Sequence, residues 1–586
     1  MWRRLRSQTP SMSMWVVTAG SRLSAVKTSL RTPNQHYLKQ KRHAHRATLT
    51  PRKPRNSSTI FAINTVVIDK KQTKPAVCEF MSRQALDKNR RIRNRESGTI
   101  HSTGGFRVAL VYPNPYAVAA SSLGYQIIYR LFNAHPEVSC ERAVLPDNVA
   151  EFRRKSKTLT TIESDYPVGG ADCIAISLAY EPDMAAMFES LDLAGIPPKR
   201  CDRGVQHPPV ILGGPITMSN ALPLAPFADA IVMGDGELAM GPLIEALLAY
   251  QKSGNRDNLL ADLAGKAGFF VPELHGDRVP AMLIAGAEHL PAVGQTWTPD
   301  AELSDMMLIE TSRGCPRYCS FCVMRQTAQP MREAKLESVL AAMDCDAPRI
   351  GFVGAAVSEY THIRSVLRQA VKAGKGVGIS SLRADRLDEE FVGLLRDGGY
   401  RTMTVAADAP SQAMRGKLKK GLRGKHLIHA AELAQWAKMR IFKMYVIIGL
   451  PGESTVDIDE LADFSLELQS IMPRVALGLS PLVPKLHTPL GDAEFTDIKT
   501  LDSRIQHLRS RLKGRVDIRS VSPKWAWVEY RLSQGGEEAG LAAFQAWKDG
   551  NKFAHYKKAF SESSEEPRKA LQSAFSHGLW KPAGMR

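Results

Sequence analysis

Cys315-Pro316-Arg317-Tyr318-Cys319-Ser320-Phe321-Cys322 stands just behind an apolar run at residues 307–311 that reads as a β-strand. The spacing is C-x3-C-x2-C, with an aromatic residue before the last cysteine. Three thiolates this close share one short loop. A [4Fe–4S] cube has four iron corners and ordinarily takes four thiolates, so three leave one iron open to an outside ligand. Zinc loops favour C-x2-C pairs matched by a second Cys or His pair, and the chain offers no such match. A ligand loop directly after a strand is also a fold statement, because (β/α) barrels gather their sites at the carboxyl ends of strands.

Outward from this loop, strands and helices alternate. Candidate strands at 307–311, 349–353, 376–380, 402–406, 442–448 and 476–479 are separated by helical stretches such as 335–344 and 426–438. Six strands predict a partial (β/α)6 barrel over residues 302–498. Upstream, order is expected to begin near Phe106, and 107–112, 172–178 and 209–212 read as buried strands. The last runs into Gly213-Gly214-Pro215, and 228–237 repeats the design with Gly234-Asp235-Gly236-Glu237 before a helix through Tyr250. Helical periodicity marks 121–133, with Ser121 or Ser122 as cap, and 182–194. This α/β alternation predicts a doubly wound parallel sheet over 101–255, with ligand-type loops at the carboxyl ends of its strands. Residues 256–301 read as an irregular connector, and 499–586 as a mostly helical, charged region with a tail at 561–586.

The chain has 586 residues and a formal net charge of +19. Residues 1–100 hold 22 Lys and Arg against 4 Asp and Glu, so all but about one unit of the net charge lies there. The basic character is therefore weak evidence that the folded body binds nucleic acid, and that partner is left open. Three readings of the 1–100 extension compete: a transit peptide, a disordered basic arm, or a mis-called start with Met81 as the true one. No apolar run approaches the roughly 18 residues of a membrane span. Eight cysteines in so long a chain form no disulfide framework. Cys140, Cys173 and Cys201 are expected to be buried small apolar residues. A cytoplasmic setting is expected, or the mitochondrial matrix if the extension is a transit peptide.

Cys315, Cys319 and Cys322, with Phe321 before the last, resemble the signature of the radical SAM superfamily. The resemblance implies a [4Fe–4S] cluster that binds S-adenosylmethionine (SAM) and cleaves it reductively, the resulting radical abstracting hydrogen from a substrate. Further positions are similar to superfamily elements. Gly354 and Ala355, after the second strand, stand where small residues contact the methionine amino group. Ser381 and Arg383, after the third, stand where polar groups reach SAM, and Arg383 is the expected carboxylate partner. Asp408 replaces a usual glutamate after the fourth. Gly449 and Pro451, in Gly449-Leu450-Pro451-Gly452, resemble the turn near adenine. Glu359 and Asp385 are read as solvated or capping groups, and His487 as a loop residue.

The amino-terminal sheet resembles the cobalamin-binding-like domain of many radical SAM proteins. With the loop Ser480-Pro481-Leu482-Val483-Pro484-Lys485-Leu486-His487-Thr488-Pro489, the whole is similar to an uncharacterised bacterial family. No Asp-x-His-x-x-Gly string is present, so cobalamin held without histidine is the form left open. The expected activity is radical SAM chemistry on an unknown substrate, fed by a flavodoxin- or ferredoxin-like electron donor. Two alternatives are methyl or methylthio transfer to RNA or a ribosomal protein, and a non-catalytic iron–sulfur or cobalamin sensor.

Overall fold

The computed structural model describes residues 83–324 and 328–563, with side chains from residue 88 onward. Of the 1–100 extension with its three readings, residues 1–82 lie outside the described residues, as does the tail beyond Ser563. Order starts earlier than Phe106: the helix Arg83–Arg95 buries Ile92 and pairs Arg93 with Asp165 at 2.9 Å.

The amino-terminal sheet has six strands: β1 (Phe106–Tyr112), β2 (Val138–Val144), β3 (Cys173–Ser177), β4 (Val210–Gly213), β5 (Ala230–Val232) and β6 (Phe269–Phe270). Their order is β2-β1-β3-β4-β5-β6, parallel except for β6. β2 carries no continuous apolar run, because Ser139, Glu141 and Arg142 interrupt it. All seven of its residues are nevertheless buried. Arg142 is taken up by Glu163 at 2.6 Å and by Glu96, so its charge enters the core already paired. The expected 256–301 connector is partly sheet and helix, since β6 and the helix Arg256–Ala264 lie within it. Ser122 stands at the N-cap of the helix Leu123–Asn133, as expected, but makes no side-chain capping bond, and the Ser121 hydroxyl donates to the Ala117 carbonyl and accepts from the Leu303 N–H.

A second set of strands comprises β7 (Ala292–Val293), β8 (Met306–Arg313), β9 (Arg332–Glu333), β10 (Arg349–Gly354) and β11 (Gly376–Ile379). A third comprises β12 (Thr402–Ala406), β13 (Ile441–Ile448), β14 (Val475–Pro481) and β15 (Val516–Ser520). β11-β10-β8 and β12-β13-β14-β15 are each parallel, and a parallel bridge between Leu382 and Val405 links them. The six expected barrel strands are present, in an open arrangement, and β15 adds a seventh. It falls in the stretch read as helical because only Val516 and Ile518 turn inward from charged neighbours.

Val377, Val405, Phe442, Met444, Val446 and Leu477 join the core under the outer helices. Strand alternation therefore turns Thr404, Lys443, Tyr445 and Ile447 to the opposite, inner face. The carboxyl-terminal helices Pro523–Gln534, Glu537–Lys548 and Phe553–Glu562 pack on the amino-terminal sheet's helical layer. There Phe544 meets Phe188 and Phe227 with ring centroids 5.3 and 5.8 Å apart. Gly540 allows the approach, since a Cβ would fall 2.0 Å from the Pro223 carbonyl oxygen.

Candidate active site

β8 ends at Arg313, and Gly314 turns the chain into the cysteine loop with φ +90°. A Cβ at Gly314 would lie 1.9 Å from the Ala328 carbonyl oxygen, so glycine alone permits this turn. The loop is fastened on two sides: Ser320 N–H donates to the Leu418 carbonyl at 3.0 Å, and Leu490 N–H donates to the Ser320 carbonyl at 3.2 Å. Gln329 donates to the carbonyls of Cys315 and Arg317. Phe321 packs on Leu418, Leu450 and Leu482 in one apolar cluster. Leu450 belongs to the Gly-Leu-Pro-Gly turn, so two motifs 127 residues apart in sequence meet here.

Cys319 is buried, and Cys315 and Cys322 are half-buried. Burial pushes both the Cys319 and Cys322 thiols up, the latter to about 12. Thiols raised by burial become thiolates when a metal supplies the counter-charge, with release of protons. Among the described residues no three His, Cys, Asp or Glu side chains converge on a point that would hold a single metal ion. A cube takes its thiolates at separate corners, so three sulfurs on one loop with no fourth match it in donor chemistry.

Lys420 was not singled out in the sequence, where it is one of six cations in residues 415–425. In the fold it is 8% exposed, ion-paired with Asp408, and close enough to Cys319 for the two charges to interact. Burial works against its charge, but the Asp408 carboxylate and the Cys319 sulfur outweigh this and hold its pKa up. Asp408 sits at φ +60° with its N–H on the Tyr445 carbonyl at 3.0 Å. Its carboxylate thus faces Lys420.

The groups after β10 and β11 form one network. The Arg383 fork grips Asp385 at 3.0 and 2.9 Å, and its Nε lies 3.3 Å from Glu359. Glu359 also takes Arg317 of the cysteine loop at 2.7 Å and Arg386 at 2.9 Å. The guanidinium expected to meet a SAM carboxylate is therefore engaged by Asp385, and Glu359 is a buried hub where a solvated or capping group was expected. Ser381 is exposed and Ala355 half-buried. Gly354 has a clearer role: a Cβ there would sit 2.7 Å from the Ser312 carbonyl oxygen and 3.1 Å from its hydroxyl. The Ser312 hydroxyl is buried without a protein partner. Such a group costs free energy unless a ligand or water satisfies it, so this spot at the end of β8 suits a polar ligand atom. On the inner face, Lys443 donates to the Tyr445 hydroxyl at 2.9 Å. Gly478 makes room for that ring, since a Cβ there would lie 2.7 Å from Tyr445 Cδ1.

Gly449 takes φ +79°, and a Cβ there would lie 2.8 Å from Leu501 Cδ2. The Glu453 carboxylate accepts from the N–H groups of Gly449 and Leu450 and pairs with Arg504 at 2.9 Å. The turn is thus built before any ligand arrives, with Pro451 exposed.

Two ionic clusters clamp the amino-terminal sheet onto this end of the barrel. Arg313, the residue before Gly314, binds Glu310 at 2.7 Å, Glu237 at 2.8 Å and Asp235 at 3.4 Å. Lys485 binds Glu181, after β3, at 2.7 Å, and Glu529 of a carboxyl-terminal helix at 2.9 Å. His487 is half-buried, and burial pushes its pKa down to about 4. No histidine occupies the turns directly after β1, β3, β4 or β5; Asn114 and Asp183 are there instead, joined at 3.2 Å, and burial raises Asp183 to about 7. Cys140 and Cys173 flank Val108 in the sheet core, as expected, whereas Cys201 is exposed.

Residues 124–272 match the family described as radical SAM proteins, N-terminal, and residues 309–465 match the radical SAM superfamily. The uncharacterized protein MJ0966 of Methanocaldococcus jannaschii is 24% identical over 411 residues, covering 69% of this chain and 83% of that protein. The uncharacterized methyltransferase PH0819 of Pyrococcus horikoshii is 25% identical over 323 residues, covering 51% and 67%. The cobalamin-dependent S-adenosylmethionine radical enzyme OxsB, in its aqua-cobalamin-bound structure, is similar at a TM-score of 0.41 with 13% identity. That match covers 61% of this chain and 52% of OxsB, about half its length. The two family matches take in five of the six strands of the amino-terminal sheet, the cysteine loop and most of the barrel, and the chain belongs to the radical SAM superfamily of enzymes.

Proposed function

We propose that Cys315, Cys319 and Cys322 hold a [4Fe–4S] cluster whose open iron receives SAM, and that the protein cleaves SAM reductively to begin radical chemistry on a substrate not yet identified. The bound cluster supplies one low-potential electron to the sulfonium. The chain's own residues do the rest. The loop fastened by Leu418, Leu490 and Gln329 fixes the three sulfurs at the carboxyl end of β8. Gly354 keeps the backbone low, and the Ser312 hydroxyl offers a polar contact for the methionine end. The prebuilt turn at Gly449 and Pro451 borders the adenosine. Lys443 and Tyr445 face the interior, where a polar substrate group would sit. Enclosure by the barrel limits side reactions with water.

The carrying observation is the trio of thiols on one loop at the end of the first barrel strand. After anaerobic iron–sulfur reconstitution, Cys319→Ala is expected to lose both the brown cluster absorbance and 5′-deoxyadenosine formation under strong reductant. A variant that keeps both refutes the assignment. Methylthio transfer would call for a second cluster, and Cys140 and Cys173 support none because both lie in the sheet core. Iron content near four per chain is expected, rather than near eight.

A further inference from the structure

Residues 415–425 carry Arg415, Lys417, Lys419, Lys420, Arg423 and Lys425, six cations with no acid among them. Two are used internally. Arg415 is buried over the Phe464 ring, and Lys420 is paired with Asp408. Lys417, Lys419, Arg423 and Lys425 are exposed. Among the described residues no carboxylate lies within ion-pair distance of these four, whereas Lys420 in the same run has one. The run also touches the cysteine loop directly, through the 3.0 Å bond from Ser320 N–H to the carbonyl of Leu418, which Lys417 and Lys419 flank. Tyr318, inside the cysteine loop, is 58% exposed, so the loop itself reaches solvent.

We infer that the exposed cations Lys417, Lys419, Arg423 and Lys425 form the docking surface for a small acidic one-electron carrier protein. The inference rests on the cluster assignment above. Like charges crowded on one exposed run repel one another and set up a local positive field, which steers a negatively charged partner and orients it on arrival. A carrier seated here brings its redox centre alongside the cysteine loop, and electron tunnelling falls steeply with distance. The step moves one electron: the reduced carrier is oxidised by one, the oxidised cluster is reduced by one, and no bond or proton is transferred. A nucleic acid is the less favoured occupant, because the run contains no aromatic residue on which bases could stack.

The test uses the full chain and an acidic flavodoxin as the probe. Binding is measured by calorimetry on cluster-loaded and cluster-free protein, so that one readout is independent of turnover. Wild type is expected to bind, and to weaken on the order of tenfold between low and moderately high salt. Lys417→Glu, Lys419→Glu and Arg423→Glu together should weaken binding by roughly tenfold or more, while Lys417→Arg with Lys419→Arg stays within about twofold. 5′-Deoxyadenosine formation driven by flavodoxin should fall in parallel, with the dithionite-driven rate unchanged. The inference is overturned if flavodoxin fails to bind wild type, or binds the triple-Glu variant equally well. It is also overturned if that variant loses affinity for an RNA oligonucleotide while keeping flavodoxin. Failure of wild type to form 5′-deoxyadenosine with dithionite would instead strike the proposed function, and the binding arms would still decide the docking surface.

Discussion

Replacing Lys485 by Met tests whether the amino-terminal sheet, the barrel and the carboxyl-terminal helices are locked together over the site. Lys485 Nζ lies 2.7 Å from Glu181 and 2.9 Å from Glu529, and the three side chains are 18%, 2% and 9% exposed. Ser219 also donates to Glu181, at 2.8 Å. Removing the one cation leaves two buried carboxylates facing each other. Breaking a buried pair from one side costs about 3–5 kcal/mol. Burial already pushes the Glu529 pKa up, and Lys485 is the group that restrains it; without Lys485 it rises further. The sign follows from proton linkage. A carboxyl with its folded pKa above the unfolded value of about 4.3 holds its proton more tightly when folded. Its penalty is therefore fully felt above the folded pKa and fades as pH falls toward the unfolded value. Each pKa unit is worth about 1.4 kcal/mol, so the stability gap between variant and wild type should narrow by about 1–3 kcal/mol from pH 8 to pH 5. Adding Glu529→Gln should recover part of the loss at pH 8 and flatten the pH profile. Trp525 and Trp527 lie on the same helix as Glu529, so urea unfolding followed by tryptophan fluorescence reads the junction directly. A cost below about 1 kcal/mol, or one equal at both pH values, would refute the account.

Gly354→Ala would place a Cβ 2.7 Å from the Ser312 carbonyl oxygen. Overpacking of this kind costs about 1–3 kcal/mol, and SAM affinity should fall by equilibrium dialysis while cluster absorbance persists. Unchanged SAM affinity would remove Gly354 from the site. Lys420→Met takes a buried cation from beside Cys319. Because reduction adds negative charge, the midpoint potential should drop on the order of tens of millivolts in a titration followed by electron paramagnetic resonance. A potential that stays in place would show that Lys420 serves packing alone.

Much of this protein is legible in local pattern. Strand periodicity is a property of a few consecutive residues, and each of the six expected barrel strands lies within a residue or two of its predicted position. The cysteine trio is equally local, since its chemistry depends on spacing within eight residues. The misses have a common cause. β2 was hidden by Arg142, whose charge is tolerable in the core only because Glu96 and Glu163 come from elsewhere in the chain. β15 was hidden by its charged outer face.

The primary structure by itself determined the order of the strands and helices, the three-cysteine loop and the turn of glycines that accompanies it, because these follow from residue type and spacing alone. Only the tertiary structure decided which charges are spent and which are available. Arg383 turns to Asp385, Lys420 goes inward to Asp408, and Lys417 and Lys419 stay outside, although Lys419 and Lys420 are adjacent in the chain. Burial and pairing are set by which distant segments pack together, and that information is not carried by a residue's neighbours in sequence.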